Sequence, residues 1–169
     1  MAHPRGGEAE LADAAREAAL RLLTARARTR AELEQRLAEQ GFPHGTVAAT
    51  LDRLEQVGLV DDAAVAASYA ERRAGWGGAT AGLAAELRRR GIDAEVAGAA
   101  AGSATAGEDE VDRCRRVAES RLARLGNLPP EVQGRRLAGF LARRGYPPDT
   151  VEQVLQELVA VAPHAPDVG

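Results

Sequence analysis

Lysine is absent from this chain of 169 residues, and all 22 basic residues are arginine. A GC-rich coding sequence would produce that bias. So would selection for guanidinium forks, which pair with carboxylate or phosphate in a way that ammonium groups do not. Acidic residues outnumber basic ones, 25 to 22, and the net charge of −3 excludes a surface coated in positive charge that grips nucleic acid indiscriminately. Cysteine occurs once, at Cys114, so no internal disulfide can form, and a cytoplasmic setting is expected. Aromatics make up 3% of the chain and isoleucine occurs only at Ile92, which disfavours strands. No stretch approaches the roughly 20 apolar residues of a membrane span, and Met1 to Glu10 lacks the apolar core of a signal peptide.

The three histidines lie in the two tails and in a turn (His3, His164 and His44), without the spacing of a metal site. Cys114 has no adjacent general base in the sequence and reads as a core or surface thiol. The glycines around Trp76 lack the Lys-Ser/Thr of a phosphate loop. No catalytic residue, metal ligand or cofactor is indicated, and the chain reads as a non-enzyme.

What is present is alanine, leucine, arginine and glutamate, which lose little freedom in a helix. Self-similarity organises them. Gly41, Gly91 and Gly145 each follow two leucines, at eight and four residues before: Leu33 and Leu37, Leu83 and Leu87, Leu137 and Leu141. Each glycine precedes a large apolar residue, Phe42, Ile92 or Tyr146. Leucines four apart share one helix face, glycine supplies the left-handed residue that ends the helix, and the apolar residue beyond folds back on the last turn. Helices before and after each anchor bring the expectation to nine: 8–27, 30–40, 45–57, 62–74, 79–90, 93–101, 106–125, 130–144 and 149–161. The fold expected is all-α, three tandem three-helix repeats in an elongated, curved array, with repeats at 8–58, 59–103 and 104–162 and disordered tails at 1–7 and 163–169.

Capping signals fall in the gaps. Thr29 with Glu32, and Thr105 with Glu108, fit the capping box; Asp61 and Asp62 are placed to cap the helix carrying Tyr69; Pro129 and Pro130 open the helix of Leu137. The glycine- and alanine-rich stretch from Gly98 to Gly107 is read either as a flexible joint or as helix running straight through. Tyr69, Phe42 and Tyr146 read as core or staple residues.

The run from Leu22 to Leu33, with Leu37 and Gly41 after it, resembles the opening repeat of the RecX family. Val57-Gly58-Leu59-Val60-Asp61-Asp62, followed by Ala66, Tyr69 and Arg72, is similar to that family's Gly-hydrophobic-hydrophobic-Asp-Asp signature. Glu86 to Ile92 and Leu141 to Tyr146 resemble its second- and third-repeat endings, so the likeness runs from about residue 15 to about residue 160. The resemblance implies a tandem three-helix-repeat protein that binds the RecA recombinase filament on single-stranded DNA. It implies restraint of ATP hydrolysis, strand exchange and co-protease activity, and so an influence on recombination, repair and the SOS response. The family usually carries basic residues near Trp76 to Thr80, and this chain has none there.

The candidate partner-binding residues are Arg26, Arg28, Arg30, Arg72, Arg73, Arg88, Arg89, Arg90, Arg143, Arg144 and Trp76. Several of the arginines recur at equivalent places in successive repeats, so stacking could line them along one edge, facing acidic side chains or DNA phosphates. Trp76, set among glycines, suits either a partner contact or a plug between repeats. The expected partner is a RecA filament, with weak direct DNA contact possible, no membrane association and a monomeric state. The competing reading is a helix-turn-helix-like regulator of duplex DNA built on segment 29–58, against which stand the acidic balance and the lack of a polar recognition helix.

Overall fold

A computed structural model describes residues 5–126 and 128–159. The described residues form nine helices and no strand: α1 (Arg5–Ala25), α2 (Arg30–Glu39), α3 (His44–Gln56), α4 (Asp62–Gly75), α5 (Thr80–Arg89), α6 (Ala94–Thr105), α7 (Glu110–Leu122), α8 (Pro130–Arg143) and α9 (Pro148–Val159). Helix α1 already begins at Arg5, inside the expected tail; the remaining tail positions 1–4 and 163–169 lie outside the described residues.

The three anchors behave alike. Gly41, Gly91 and Gly145 adopt φ of 88°, 83° and 84°. Behind each, the apolar residue's amide donates to the leucine five positions back: Phe42 to Leu37 at 3.2 Å, Ile92 to Leu87 at 3.2 Å and Tyr146 to Leu141 at 3.3 Å. Each glycine amide closes the tighter bond inside, onto Ala38, Arg88 and Ala142. This is the Schellman arrangement, and the paired leucines it orients are buried in all three units.

All extensive helix–helix packing lies within α1–α3, within α4–α6 or within α7–α9. The cores differ in kind. The first is built on Leu33, Leu37, Leu51 and Leu54, and the third on Leu137, Leu141, Val151, Val154 and Tyr146. The middle one rests largely on alanine, with Ala66, Ala70, Ala74, Ala97 and Ala101 buried between α4 and α6. Cys114 is fully buried in the third core, where burial and then the charge of Glu110 push its thiol up to about 11.

Three expectations are corrected. The stretch Gly98 to Gly107 is no joint, because α6 continues through it to Thr105. Thr105 does not cap the next helix: it sits in the last turn of α6 and donates to the Ala101 carbonyl at 2.8 Å. The cap of α7 is Asp109, which accepts from Val111 and Asp112. Asp61 caps α4 as expected, accepting from Ala64, but the Asp62 carboxylate accepts from the Arg30 amide of the neighbouring unit at 2.8 Å. Thr29 makes its half of the capping box with the Glu32 amide, and the Glu32 carboxylate, which the Thr29 backbone also helps to hold below its ordinary value, takes the Arg90 guanidinium as well.

Candidate partner-binding surface

The units are joined twice by the same device. At the first joint the Thr29 hydroxyl, at the N-cap of α2, donates to the Arg90 carbonyl at the C-cap of α5, 2.8 Å away. At the second, the Ala79 amide, at the N-cap of α5, donates to the Arg144 carbonyl at the C-cap of α8 at 3.3 Å. Both joints bring an anchor glycine against the preceding unit. A β-carbon on Gly91 would stand 2.2 Å from that of Ala31, and one on Gly145 would stand 2.3 Å from the Gly82 α-carbon.

At the first joint the Arg90 guanidinium donates to Glu32 at 2.9 Å and lies 5.0 Å from the Tyr69 ring centre. Desolvation raises the Glu32 carboxyl, but the Arg90 hydrogen bond and the charges of Arg90 and Arg26 outweigh it and hold the group below its ordinary value. Glu32 Oε2, buried without a hydrogen bond, stands 3.4 Å from Arg26 Nη1. Tyr69 donates to Glu86 at 2.6 Å, and Arg73 grips the same carboxylate through two bonds of 2.9 and 3.2 Å. A cleft of about 700 Å³ opens over this network. Arg26, Arg28, Arg72 and Arg90 line it together with Leu23, Leu59 and Val65.

At the second joint Arg144 points at the Trp76 carbonyl and lies 4.7 Å from the Phe140 ring centre. Burial pushes this guanidinium below its ordinary value, and the nearby charge of Arg73 acts in the same direction. Tyr146, nearly fully buried, donates to the Gly77 carbonyl at 3.1 Å, and burial pushes its phenol up to about 12. A second cleft, about 460 Å³, is lined by Trp76, Phe140 and four arginines: Arg116, Arg121, Arg124 and Arg144.

The structure thus divides the sequence candidates. Arg26, Arg28, Arg72 and Arg90 share the first cleft, and Trp76 and Arg144 share the second. Arg88, Arg89 and Arg143 are exposed outside both. Arg30 is committed internally to Glu34, Asp52 and Glu55 at 3.0, 2.8 and 2.6 Å, and Arg73 to Glu86. Trp76 is 63% exposed, so it does not plug the joint. Sequence reasoning missed Arg121, in the last turn of α7, and Arg124, in the turn just beyond it, whose amide donates to the Arg121 carbonyl at 3.0 Å. It also missed Phe140, which becomes a ring flanked by two guanidiniums only when α7 and α8 pack. Among the described residues no cluster of His, Cys, Asp and Glu could hold a metal, and no helix is long and apolar enough to cross a membrane.

Serial three-helix units, hooked cap to carbonyl, with arginine-lined clefts opening at their joints, define a tandem-repeat protein. Residues 15–54 match the family model described as the first three-helix domain of RecX, and residues 108–155 match that of the third. The Regulatory protein RecX of Mycobacterium avium is 44% identical over 160 residues, covering 93% of this chain and 92% of the relative. That of Thermobifida fusca is 41% identical over 158 residues, covering 91% and 85%. The crystal structure of RecX from Lactobacillus salivarius superposes with a TM-score of 0.71 at 21% identity, covering 90% of this chain and 99% of that one. The chain belongs to the RecX family.

Proposed function

We propose that this protein binds the RecA filament assembled on single-stranded DNA and restrains it, lowering ATP hydrolysis, strand exchange and co-protease activity. The observation that carries the reading is the first cleft. Arg26, Arg28 and Arg72 line its wall beside Leu23, Leu59 and Val65, and Leu59 is 52% exposed. Apolar surface rimmed by guanidinium groups suits an acidic protein groove, where arginine and buried aliphatic area together carry affinity. Arg88, Arg89 and Arg143, exposed at the ends of α5 and α8, extend the same charge beyond the joints and serve as secondary contacts. Arg30 and Arg73 support the surface from within through their carboxylate partners. The protein acts as a monomer in the cytoplasm and needs no cofactor.

The test is single-stranded-DNA-dependent ATP hydrolysis by the cognate RecA, titrated with the protein. Inhibition well below one molecule per RecA supports regulation at growing filament ends, and inhibition only near stoichiometry supports coating of the groove. Reversing both exposed charges, Arg26→Glu with Arg72→Glu, is expected to raise the half-inhibiting concentration by roughly tenfold while helix content stays unchanged. An active filament indifferent to the protein would sink the reading.

A further inference from the structure

The second helices of the three units are chained end to end. The C-cap carbonyl of α8, on Arg144, accepts from the N-cap amide of α5, and the C-cap carbonyl of α5, on Arg90, accepts from the N-cap hydroxyl of α2. Each contact sets the negative end of one helix dipole against the positive end of the next. Each also seats an anchor glycine on a small residue in the first turn of its neighbour, Gly91 on Ala31 and Gly145 on Gly82. The series has two ends, and they differ.

At the third unit the series is closed. Helices α2 and α5 start three residues before their first core leucines, Leu33 and Leu83, whereas α8 starts seven before Leu137. The helix therefore runs straight through Gln133, the counterpart of the N-caps Thr29 and Ala79. Exposed Arg135 and Arg136 stand where the two joints have Ala31 and Glu32, and Ala81 and Gly82. Two long side chains at this point leave no seat for another glycine ending, that of a second copy included.

At the first unit the series is open. Gln40, the C-cap of α2, is exposed, whereas its counterparts Arg90 and Arg144 are half-buried. No backbone amide among the described residues donates to the Gln40 carbonyl. Gly41 has the left-handed backbone of the other two anchors, and a β-carbon there would meet nothing within 4 Å. Phe42 behind it is partly exposed, while Ile92 and Tyr146 are 3% and 4% exposed.

The chain itself shows twice what fits such an ending. It is the N-terminus of a helix, with a hydroxyl or free amide at the N-cap and alanine or glycine in the first turn. We propose that the Gln40-Gly41-Phe42 end of the first unit is a docking point for the exposed N-terminus of a helix on the recombinase subunit, which extends the chained helices into the partner. The choice of partner rests on the filament reading; the chemistry of the contact does not. No residue of this end lines the first cleft, so the two surfaces can be disabled separately.

The test measures co-sedimentation of the full-length protein and two variants with RecA filaments on single-stranded DNA. Gly41→Asn brings in a residue that accepts the left-handed backbone and adds a side chain where the partner helix must approach. It is expected to weaken binding roughly tenfold. Glu39→Arg sets a cation in the last turn of α2, which suits the dipole of α2 itself and should leave helix content unchanged. The same cation repels an incoming helix N-terminus, and binding about threefold weaker is expected. Gln40→benzoylphenylalanine is expected to cross-link, on irradiation, to the first turn of a RecA helix. A parent protein that does not bind filaments would sink the filament reading and the named partner with it. A parent that binds, with both variants binding equally well, overturns the docking point alone. Tighter binding by Glu39→Arg would overturn it too, by revealing an acidic surface at this end, and so would cross-linking to a second copy of the chain or to anything other than a helix N-terminus.

Discussion

Arg113 shows how much one side chain can fix when it is buried where two units meet. It is 3% exposed, and its Nη2 donates to the Thr105 carbonyl at 2.5 Å and to the Glu108 carbonyl at 2.7 Å. These are carbonyls at and just beyond the frayed end of α6, groups that a helix leaves without partners of its own. The glycine-rich connection is thereby tied down from outside. Arg113→Ala would leave those carbonyls facing a dry gap, and a loss of about 2–3 kcal/mol in stability is expected from chemical denaturation. An unchanged midpoint would show that water takes over the same bonds. Arg113 gave no sign of this in the sequence, where it is one arginine among 22.

At the scale of elements the glycine endings carry the argument. Gly41 and Gly145 share a left-handed backbone, with φ of 88° and 84°, but only Gly145 lies against another unit. An added methyl at Gly41 meets nothing within 4 Å, whereas at Gly145 it would stand 2.3 Å from the Gly82 α-carbon. Gly41→Ala is expected to cost about 1–2 kcal/mol, the strain of a left-handed residue alone. Gly145→Ala carries that same strain and must also push two backbones apart, so its loss should exceed that of Gly41→Ala by at least about 1 kcal/mol in thermal unfolding. Equal losses would mean that the joint yields freely.

This contrast also marks what could be read from the chain. Leucine spacing, the glycine stops and the apolar residue behind each were legible because they act within one helix turn of one another. Thr29, Asp61 and the all-α class followed from the same local chemistry. The fate of Asp62, of Glu32 and of Gly82 was not legible, because their partners Arg30, Arg90 and Arg144 lie in other units, up to 62 residues away in the case of Arg144. The capping box at Thr105 failed for a related reason. Asp109 is the better-placed acceptor once α6 runs its full length.

For the whole molecule, the two joints should respond differently to acid. Glu32 is held below its ordinary value of 4.5 by Arg90 and Arg26 against the cost of its desolvation. A carboxylate depressed in the folded state contributes stability that is fully present above the unfolded value and drains away as pH falls through the folded one. The first joint therefore weakens below about pH 4.5. At the second joint the direct links, Ala79 to Arg144 and Tyr146 to Gly77, carry no carboxylate; the carboxylate held low beside it, Glu108 on Arg116 and Arg113, braces the α6–α7 connection instead. A fall in Tm is expected between pH 5 and pH 3, part of it from the Glu32 clasp. Glu32→Gln should have a lower Tm at pH 7 and a flatter acid profile; a variant that still loses stability as steeply as its parent would place the acid response elsewhere.

The alanine-built middle unit has one more consequence. Alanine gives up no rotamer freedom on burial but also removes little apolar area from water, so α4 to α6 gain less from packing than the leucine-rich units on either side. In a linear array each unit feels only its neighbours, and a signal between the ends must pass through every link. The middle unit is thus the fuse of the molecule. When its packing loosens, the outer units lose the link that fixes where each lies relative to the other.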